Sequence, residues 1–306
     1  MARRMASQIG QALLSLLFIL LLVFCLVRFT GDPINFLLEP GATDAQKDAL
    51  RERLNLNGSV LSQFWAYLDQ VAHGQLGISY VVQQPVTDLI MSRAEATLVM
   101  GAGAIALTIA IGLPLGLYAG YWRGRPFDGA VRGFSALFQS LPDFWVGFML
   151  IFLVAIQLKL LPSGGYGGLK ELILPSITLA LPAVAGLARL LRSSVIEEME
   201  SDYVLFHRIK GTPEGTILWK HSLRNGGITT LSFLGIVTAG LFTGSVLVET
   251  IFNWPGLGLL LVTGIRQRDF AVVQGVTLVY ALAYIITNLV VDLLYTYLNP
   301  RLKATT

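Results

Sequence analysis

The side chains best suited to acid–base, nucleophilic or metal chemistry are three histidines, a single cysteine and scattered carboxylates, and their spacing assembles no site. His73 stands apart in one polar stretch, His207 and His221 lie in another, and no His-Glu-x-x-His or Gly-x-Ser-x-Gly run occurs. No Gly-Lys dipeptide occurs either, so the phosphate-cradling Gly-x-x-x-x-Gly-Lys-Ser/Thr loop is missing. Any nucleotide that drives this protein must therefore sit on another subunit. Cys25 has no second cysteine to pair with and reads as a small apolar side chain within an apolar run.

What the polar residues do suggest is mechanical. From Arg189 to Asn225 a polar segment separates two long apolar runs and carries Arg189, Arg192, Arg208, Lys210, Lys220 and Arg224. Basic residues favour cytoplasmic loops, which places the segment on the inner face of a membrane. Within it Asp202 is expected to cap a short helix, Tyr203, Phe206 and Ile209 recur near one face, and Gly211 with Pro213 ends it. Such a helix, lying along the membrane, can seat its apolar and aromatic face in a groove on a soluble partner. Gly211 lets the chain reverse toward Trp219. The same residues also fit a solvated linker whose charge does no more than fix topology.

A membrane scaffold must position that helix. The 306 residues are 54% hydrophobic and 13% charged, against about a quarter charged in soluble domains. With a mean hydropathy of +0.65, the chain cannot cover itself with polar surface. Its net charge of +3 and pI near 9.0 fit basic inner loops rather than a nucleic-acid face. Six stretches, 9–28, 96–121, 134–160, 172–192, 227–251 and 273–297, are apolar over the roughly 20 residues that a helix needs to cross the hydrocarbon.

An even number of spans puts both termini on one side. Arg3, Arg4, Arg123, Arg125, Arg132, Arg301 and Lys303 join the basic loop there, so both ends are expected in the cytoplasm. The first run exceeds the roughly 7–15 residues of a signal-peptide core and lacks an Ala-x-Ala-like site, so it reads as a retained helix. Pro114, Pro142, Pro175 and Pro182 fall within expected spans, either as kinks lining a translocation path or as packing irregularities. Asp143, Glu249 and Asp292 fall near span ends, where a carboxylate reaches interfacial water or a basic neighbour.

Residues 30–95 make one large external segment. Thr43-Asp-Ala-Gln46 has the form of a capping box, followed by Ala45, Ala49, Leu50 and Leu54 at helical spacing. A second short helix is expected from Ser59 to just before Gly74, with Val60, Phe64, Leu68 and Val71 on one face. The segment is too short and too poor in strand pattern to be a substrate-binding domain, so capture falls to a separate protein.

In order and spacing, Asp202-Tyr203, Lys210-Gly211 and His221-Ser-Leu-Arg-Asn225 are similar to the cytoplasmic loop of ATP-binding-cassette importer permeases. Further matches run through Gly31-Asp-Pro33, Gly74-Gln-Leu-Gly77, Ser79, Pro85-Val86 and Glu249-Thr-Ile-Phe-Asn-Trp-Pro-Gly-Leu-Gly258. They continue with Arg268-Asp269, Val273-Gln274-Gly275, Asn288-Leu-Val-Val-Asp-Leu-Leu-Tyr295 and Asn299-Pro-Arg301. The whole chain resembles the first permease subunit of the dipeptide, oligopeptide and nickel importers.

That resemblance implies an all-α membrane protein of MetI-like architecture with six transmembrane helices. Its parts would be a tail and first span at 1–29, the external segment at 30–95, and a core permease domain at 96–301 containing a coupling loop at 193–226. Asp202, Tyr203, Phe206, His207, Lys210, Gly211, Pro213, His221, Arg224 and Asn225 would couple to an ATPase. A second, homologous permease would complete the translocation path. One or two ATPase subunits would hold ATP and magnesium, and a periplasmic or extracellular binding protein would deliver the solute. Two departures alter the surface an ATPase reads: Leu205-Phe-His-Arg-Ile-Lys-Gly211 replaces the usual Arg-Thr-Ala-Arg-Ala-Lys-Gly, and the Thr229-Thr230 region replaces a usual proline.

An ATP-independent secondary transporter would place ionisable groups near the midplane of several spans or show matching halves, and neither pattern is visible. A membrane-embedded enzyme would need a cluster of reactive groups at one depth. For the cargo, a nickel route should show His, Cys or Met along the path, whereas the histidines are in loops. A short peptide or similar small organic solute is therefore expected, with nickel or a metal chelate as the alternative.

Overall fold

The computed structural model describes residues 2–29, 43–53 and 58–298, with the side chains of 2–9, 26–29, 50, 51, 53, 221–229, 231, 232, 241–244 and 292–298 outside the described set. Of the sequence-stretch expectations above, Gly31–Pro33, Leu54 and Asn299–Arg301 lie outside the described residues, as do Lys303 and the side chains of Arg3, Arg4, Leu50 and Asp292. The elements are α1 (Ala2–Phe29), α2 (Asp44–Arg53), α3 (Val60–Ala72), α4 (Val86–Tyr121), α5 (Pro126–Ser140) and α6 (Asp143–Leu150). A π-helical run, Ile151–Gln157, extends α6. Then come α7 (Leu169–Met199), α8 (Asp202–Ile209), α9 (Leu223–Ile251), α10 (Leu257–Gln267) and α11 (Phe270–Leu298). Among the described residues the only strand-like pairing is a single bridge between Ile78 and Pro85.

Among the described residues three helices, at Val86–Tyr121, Leu169–Met199 and Phe270–Val291, are each long and apolar enough to cross a membrane, and counting each of two bent pairs as one span gives five. α1 runs Ala2–Phe29, and its described side chains, Gly10–Cys25, form an apolar stretch. The expected single span at 134–160 is instead two helices, Pro126–Ser140 and Asp143–Gln157, bent by 106°. The cause is local: Pro142 lacks an amide to donate, and Leu141 ahead of it takes an extended backbone, ψ 136°, that helix cannot continue through. α9 is bent by 50° between Gly240 and Ser245. Pro114, Pro175 and Pro182 lie inside helices that run on past them. α10 was not foreseen, because Leu257–Gln267 reads as the approach to the last span.

The chain divides into two compact units. One comprises Met1–Glu95 and Gly256–Ile285. In it Thr43 and Gln46 form the expected capping box, the Thr43 amide donating to Gln46 Oε1 at 2.9 Å and the Gln46 amide to Thr43 Oγ1 at 3.4 Å. Ser59 caps α3 by accepting from the Ser62 amide at 3.2 Å. Phe64 of that helix meets Phe24 of α1 edge-on at 5.3 Å. Asp269 ties down the segment ahead of α4: Ser79 Oγ donates to Asp269 Oδ2 at 2.5 Å, and Asp269 Oδ1 accepts from the Val272 amide at 3.4 Å in the first turn of α11.

The other unit comprises Ala96–Pro255 and Ile286–Thr306. Its core joins Met100 and Ala104 of α4, Leu174, Leu179, Ala180 and Val184 of α7, and Val248, Phe252 and Trp254. Trp254 Nε1 donates to the Ala96 carbonyl at 2.8 Å, and Thr97 Oγ1 donates to Glu249 Oε1 at 2.8 Å. Glu249 is fully buried, not in reach of interfacial water as its place near a span end suggests; a serviceable donor lay across the helix packing rather than in the solvent.

α4 and α7 approach through a ridge of small residues. Gly112, Gly116 and Gly120 fall four residues apart on one face. A Cβ at Gly116 would lie 2.8 Å from Leu191 Cβ and 2.9 Å from the Ala188 carbonyl, and one at Gly120 would lie 2.6 Å from Val195 Cβ. This is the close backbone approach that small residues permit in membranes. Gly116→Ala should therefore lower the melting temperature of the detergent-purified protein, by an overpacking cost of about 1–3 kcal/mol. Gly129→Ala on α5, where a Cβ meets nothing within 4 Å, should be neutral or stabilising by up to about 1 kcal/mol. Equal effects at the two positions would contradict the packing.

Candidate functional site

Within the stretch 193–226, α7 runs on to Met199 and α9 begins at Leu223. Between them lies α8. Its cap is Ser201, not Asp202; Asp202 is the first helical residue, where its negative charge faces the positive end of the helix. The helix closes with two crossing main-chain bonds, from the Gly211 amide to the Arg208 carbonyl at 2.9 Å and from the Thr212 amide to the His207 carbonyl at 3.0 Å. That closure needs a left-handed residue, which Gly211 supplies with φ +77°.

α8 is amphipathic with its two faces differently employed. Val204 is fully buried, whereas Leu205, Phe206 and Ile209 are 56%, 54% and 77% exposed, large apolar side chains offered outward. Tyr203, expected on that outer face, is half-buried, and its ring stands edge-on to His207 at 5.7 Å. Lys210 Nζ sits 4.3 Å from the centre of the Phe206 ring, a cation over an aromatic face. His207 Nδ1 is 3.3 Å from Thr212 Oγ1.

The outward face is braced from behind. Pro213 starts a single helical turn, Glu214–Thr216, and Arg208 reaches over Gly211 to hold Glu214 in a fork, at 2.7 and 3.3 Å. The Glu214 carboxylate bonded to it holds the Arg208 guanidinium above its usual pKa. A π-helical turn, Ile217–Ser222, follows. It buries Ile217 and Leu218, and Leu218 packs with Leu117 of α4 and Leu191 and Val195 of α7. Trp219 Nε1 lies 3.4 Å from Tyr118 Oη and joins an aromatic group with Tyr118 and Trp122. His221 falls in that π-helical turn and Arg224 and Asn225 in α9; their side chains lie outside the described residues.

Sequence reasoning missed the strongest polar contact beside this loop. Arg192, read there only as a topology marker, forks onto Asp128 of α5, with Nε to Oδ1 at 2.5 Å and Nη2 to Oδ2 at 2.9 Å. Arg132 lies 3.6 Å from the same carboxylate, and the Gly124 amide donates to it at 2.9 Å. Asp128 is 1% exposed. The available signal was an acidic residue amid Arg123, Arg125 and Arg132, just after a helix-starting proline. At the surface, Arg123 pairs with Glu200 at 2.5 Å.

Among the described residues no three of His, Cys, Asp and Glu gather as a metal-holding group. Removing the buried carboxylate and removing the surface one should differ sharply. Asp128→Ala removes a forked, charge-assisted bond to the half-buried Arg192 guanidinium and should cost about 1.5–3 kcal/mol in unfolding of the purified protein. Glu214→Ala should cost no more than about 1 kcal/mol, since its pair with Arg208 is bathed in water.

Comparison with known proteins gives a consistent picture. Residues 112–304 match the family described as binding-protein-dependent transport system inner membrane component. A probable peptide ABC transporter permease protein of Sinorhizobium fredii is 35% identical over 310 residues, covering 98% of each chain. The glutathione transport system permease protein GsiC of Escherichia coli K12 is 36% identical over 290 residues, covering 94% of this chain and 95% of that one. Among solved structures, an inward-facing MetNI methionine ABC transporter matches with a TM-score of 0.59 at 18% identity, over 69% of this chain and 96% of that chain; this likeness concerns the fold.

Proposed function

This chain belongs to the family of binding-protein-dependent transport system inner membrane components, as a permease subunit of an ABC importer, and from that footing we propose that it forms half of a translocation path for short peptides or a similar small organic solute. It is a multi-pass inner-membrane protein that works with ATPase and substrate-binding partners and is not itself the ATPase. Relatives named for peptide and glutathione transport support the choice of cargo.

In this reading a second, homologous permease supplies the other half of the path. One or two ATPase subunits bind ATP and magnesium, and a periplasmic or extracellular protein delivers the solute. The chain crosses the membrane six times with both termini in the cytoplasm, α1 making the first crossing. The parts are 1–29, the external segment 30–95 and the permease core 96–301, with the coupling loop within 193–226.

One observation carries the mechanism: α8 offers Leu205, Phe206 and Ile209 outward while Val204 on the helix, and Ile217 and Leu218 after it, are buried. An apolar helical face seats in a groove on the ATPase. When two ATPase subunits close on ATP, α8 moves with them, and its buried anchors pass the movement to α4 and α7 through Leu117, Leu191 and Val195. Asp202, Tyr203, His207, Lys210, Gly211 and Pro213 shape that helix and its exit, and His221, Arg224 and Asn225 belong to the same coupling loop.

The test is uptake by the complete importer in proteoliposomes, with labelled glutathione, a dipeptide, a tripeptide and chelated nickel offered in turn. ATP-dependent accumulation of a peptide is expected. Accumulation of nickel alone would replace the cargo, and uptake without any ATPase subunit would overturn the class. Gly211→Val forces a β-branched residue to positive φ, a strain of order 1–3 kcal/mol. It should leave membrane abundance intact and cut uptake per ATP hydrolysed by about tenfold or more. Deleting 43–73 should impair delivery from the binding protein more than assembly.

A further inference from the structure

Resting on the coupling reading above, we propose that the Asp128–Arg192 ion pair is the joint through which movement of α8 reaches α5, making both side chains positioning residues for transport. α5 lies along α7 with Asp128, Val131 and Ser135 buried. Val131 packs with Ala119, Ala188 and Leu115, and Phe134 packs against the main core. Those apolar contacts carry no direction; the directional hold is electrostatic, a two-bond fork from Arg192 on α7 that keeps both planar groups in register.

Arg192 stands on the last turns of α7, and α8 starts at Asp202 just beyond that helix. A second strap, Arg123 to Glu200, ties the turn between α4 and α5 to the residue that caps the C-terminus of α7. A push on α8 thus arrives at a helix end pinned to α5 at two points, one buried and one wet. α5 then meets the 106° bend at Leu141-Pro142. Beyond the bend, Gly147 of α6 lies against Thr178 and Phe252 in the core, where an added Cβ would fall 3.3 Å from Thr178 Cγ2 and 3.4 Å from Phe252 Cε2. The pair therefore sits where displacement of the loop is converted into displacement of a bent membrane segment.

Because Asp128→Ala is expected to destabilise the protein, the test uses Arg192→Lys, which keeps the charge but loses the fork, and the exchange Asp128→Arg with Arg192→Asp. The complete importer is reconstituted with Cys25→Ser in this chain and spin labels at Leu137→Cys on α5 and Glu197→Cys on α7. Label separation is measured without nucleotide and with magnesium ATP trapped by vanadate, alongside ATP hydrolysis. A second label pair, Glu197→Cys with Leu158→Cys, reports whether the end of α7 moves at all.

In the parent protein the 137–197 separation should stay constant while the 158–197 separation shifts on trapping. Arg192→Lys should hydrolyse ATP yet show a 137–197 separation that broadens and shifts on trapping, and the charge exchange should narrow it again. A 137–197 separation indifferent to Arg192→Lys would overturn the joint, assigning the hold to packing. A parent 137–197 separation that changes on trapping would overturn it as well. An unmoved 158–197 pair in the parent would overturn the coupling reading itself, and the joint with it.

Discussion

Lipid tails are as apolar as leucine, so helices inside a bilayer gain little by hiding from their solvent and associate instead by how closely their backbones can lie. The ridge Gly112, Gly116 and Gly120 against Leu187, Ala188, Leu191 and Val195 satisfies that constraint for α4 and α7. Much of the inner end of the permease core follows from it. Only with α7 drawn tight against α4 do Leu191 and Val195 meet Leu117 and form the pocket that takes Leu218. The loop that carries α8 is therefore seated mainly on an apolar contact, with Trp219 Nε1 reaching Tyr118 Oη beside it.

Polar interactions then decide direction rather than cohesion. Glu249 with Thr97, Trp254 with the Ala96 carbonyl, and Asp128 with Arg192 each bridge segments far apart in sequence. Such bonds tolerate little sliding, since a displaced partner leaves a buried group unsatisfied. Apolar contacts can slip past one another; these cannot.

Much of this was open to inspection in the chain itself. Apolar runs and basic loops yielded an all-helical membrane protein, and the capping residues Thr43, Gln46 and Ser59 located the external helices because caps are local chemistry. The stop at Gly211 was legible for the same reason. Three things were not. The right-angled break at Pro142 depends on the extended backbone of Leu141, and a proline in a span reads equally as a mild kink. α7 runs past the expected 172–192 to Met199, and the role of Arg192 was hidden, because only the distant Asp128 makes a guanidinium at home on a packed helix. The matched stretches Ser79, Glu249-to-Gly258 and Asp269 were recognisable as a pattern, but their work as hydrogen-bonded knots appears only when segments 152 and 190 positions apart are brought together.

The reversal at Gly211 has an evolutionary corollary. It is fastened by main-chain amides and carbonyls, and the side chains at Leu205, Phe206 and Ile209 take no part in fastening it. Those three positions can therefore drift together while the shape that presents them is inherited unchanged. On the coupling role proposed above, a duplicated gene could acquire a new motor by exchanging a few outward residues, with no need to reinvent the lever.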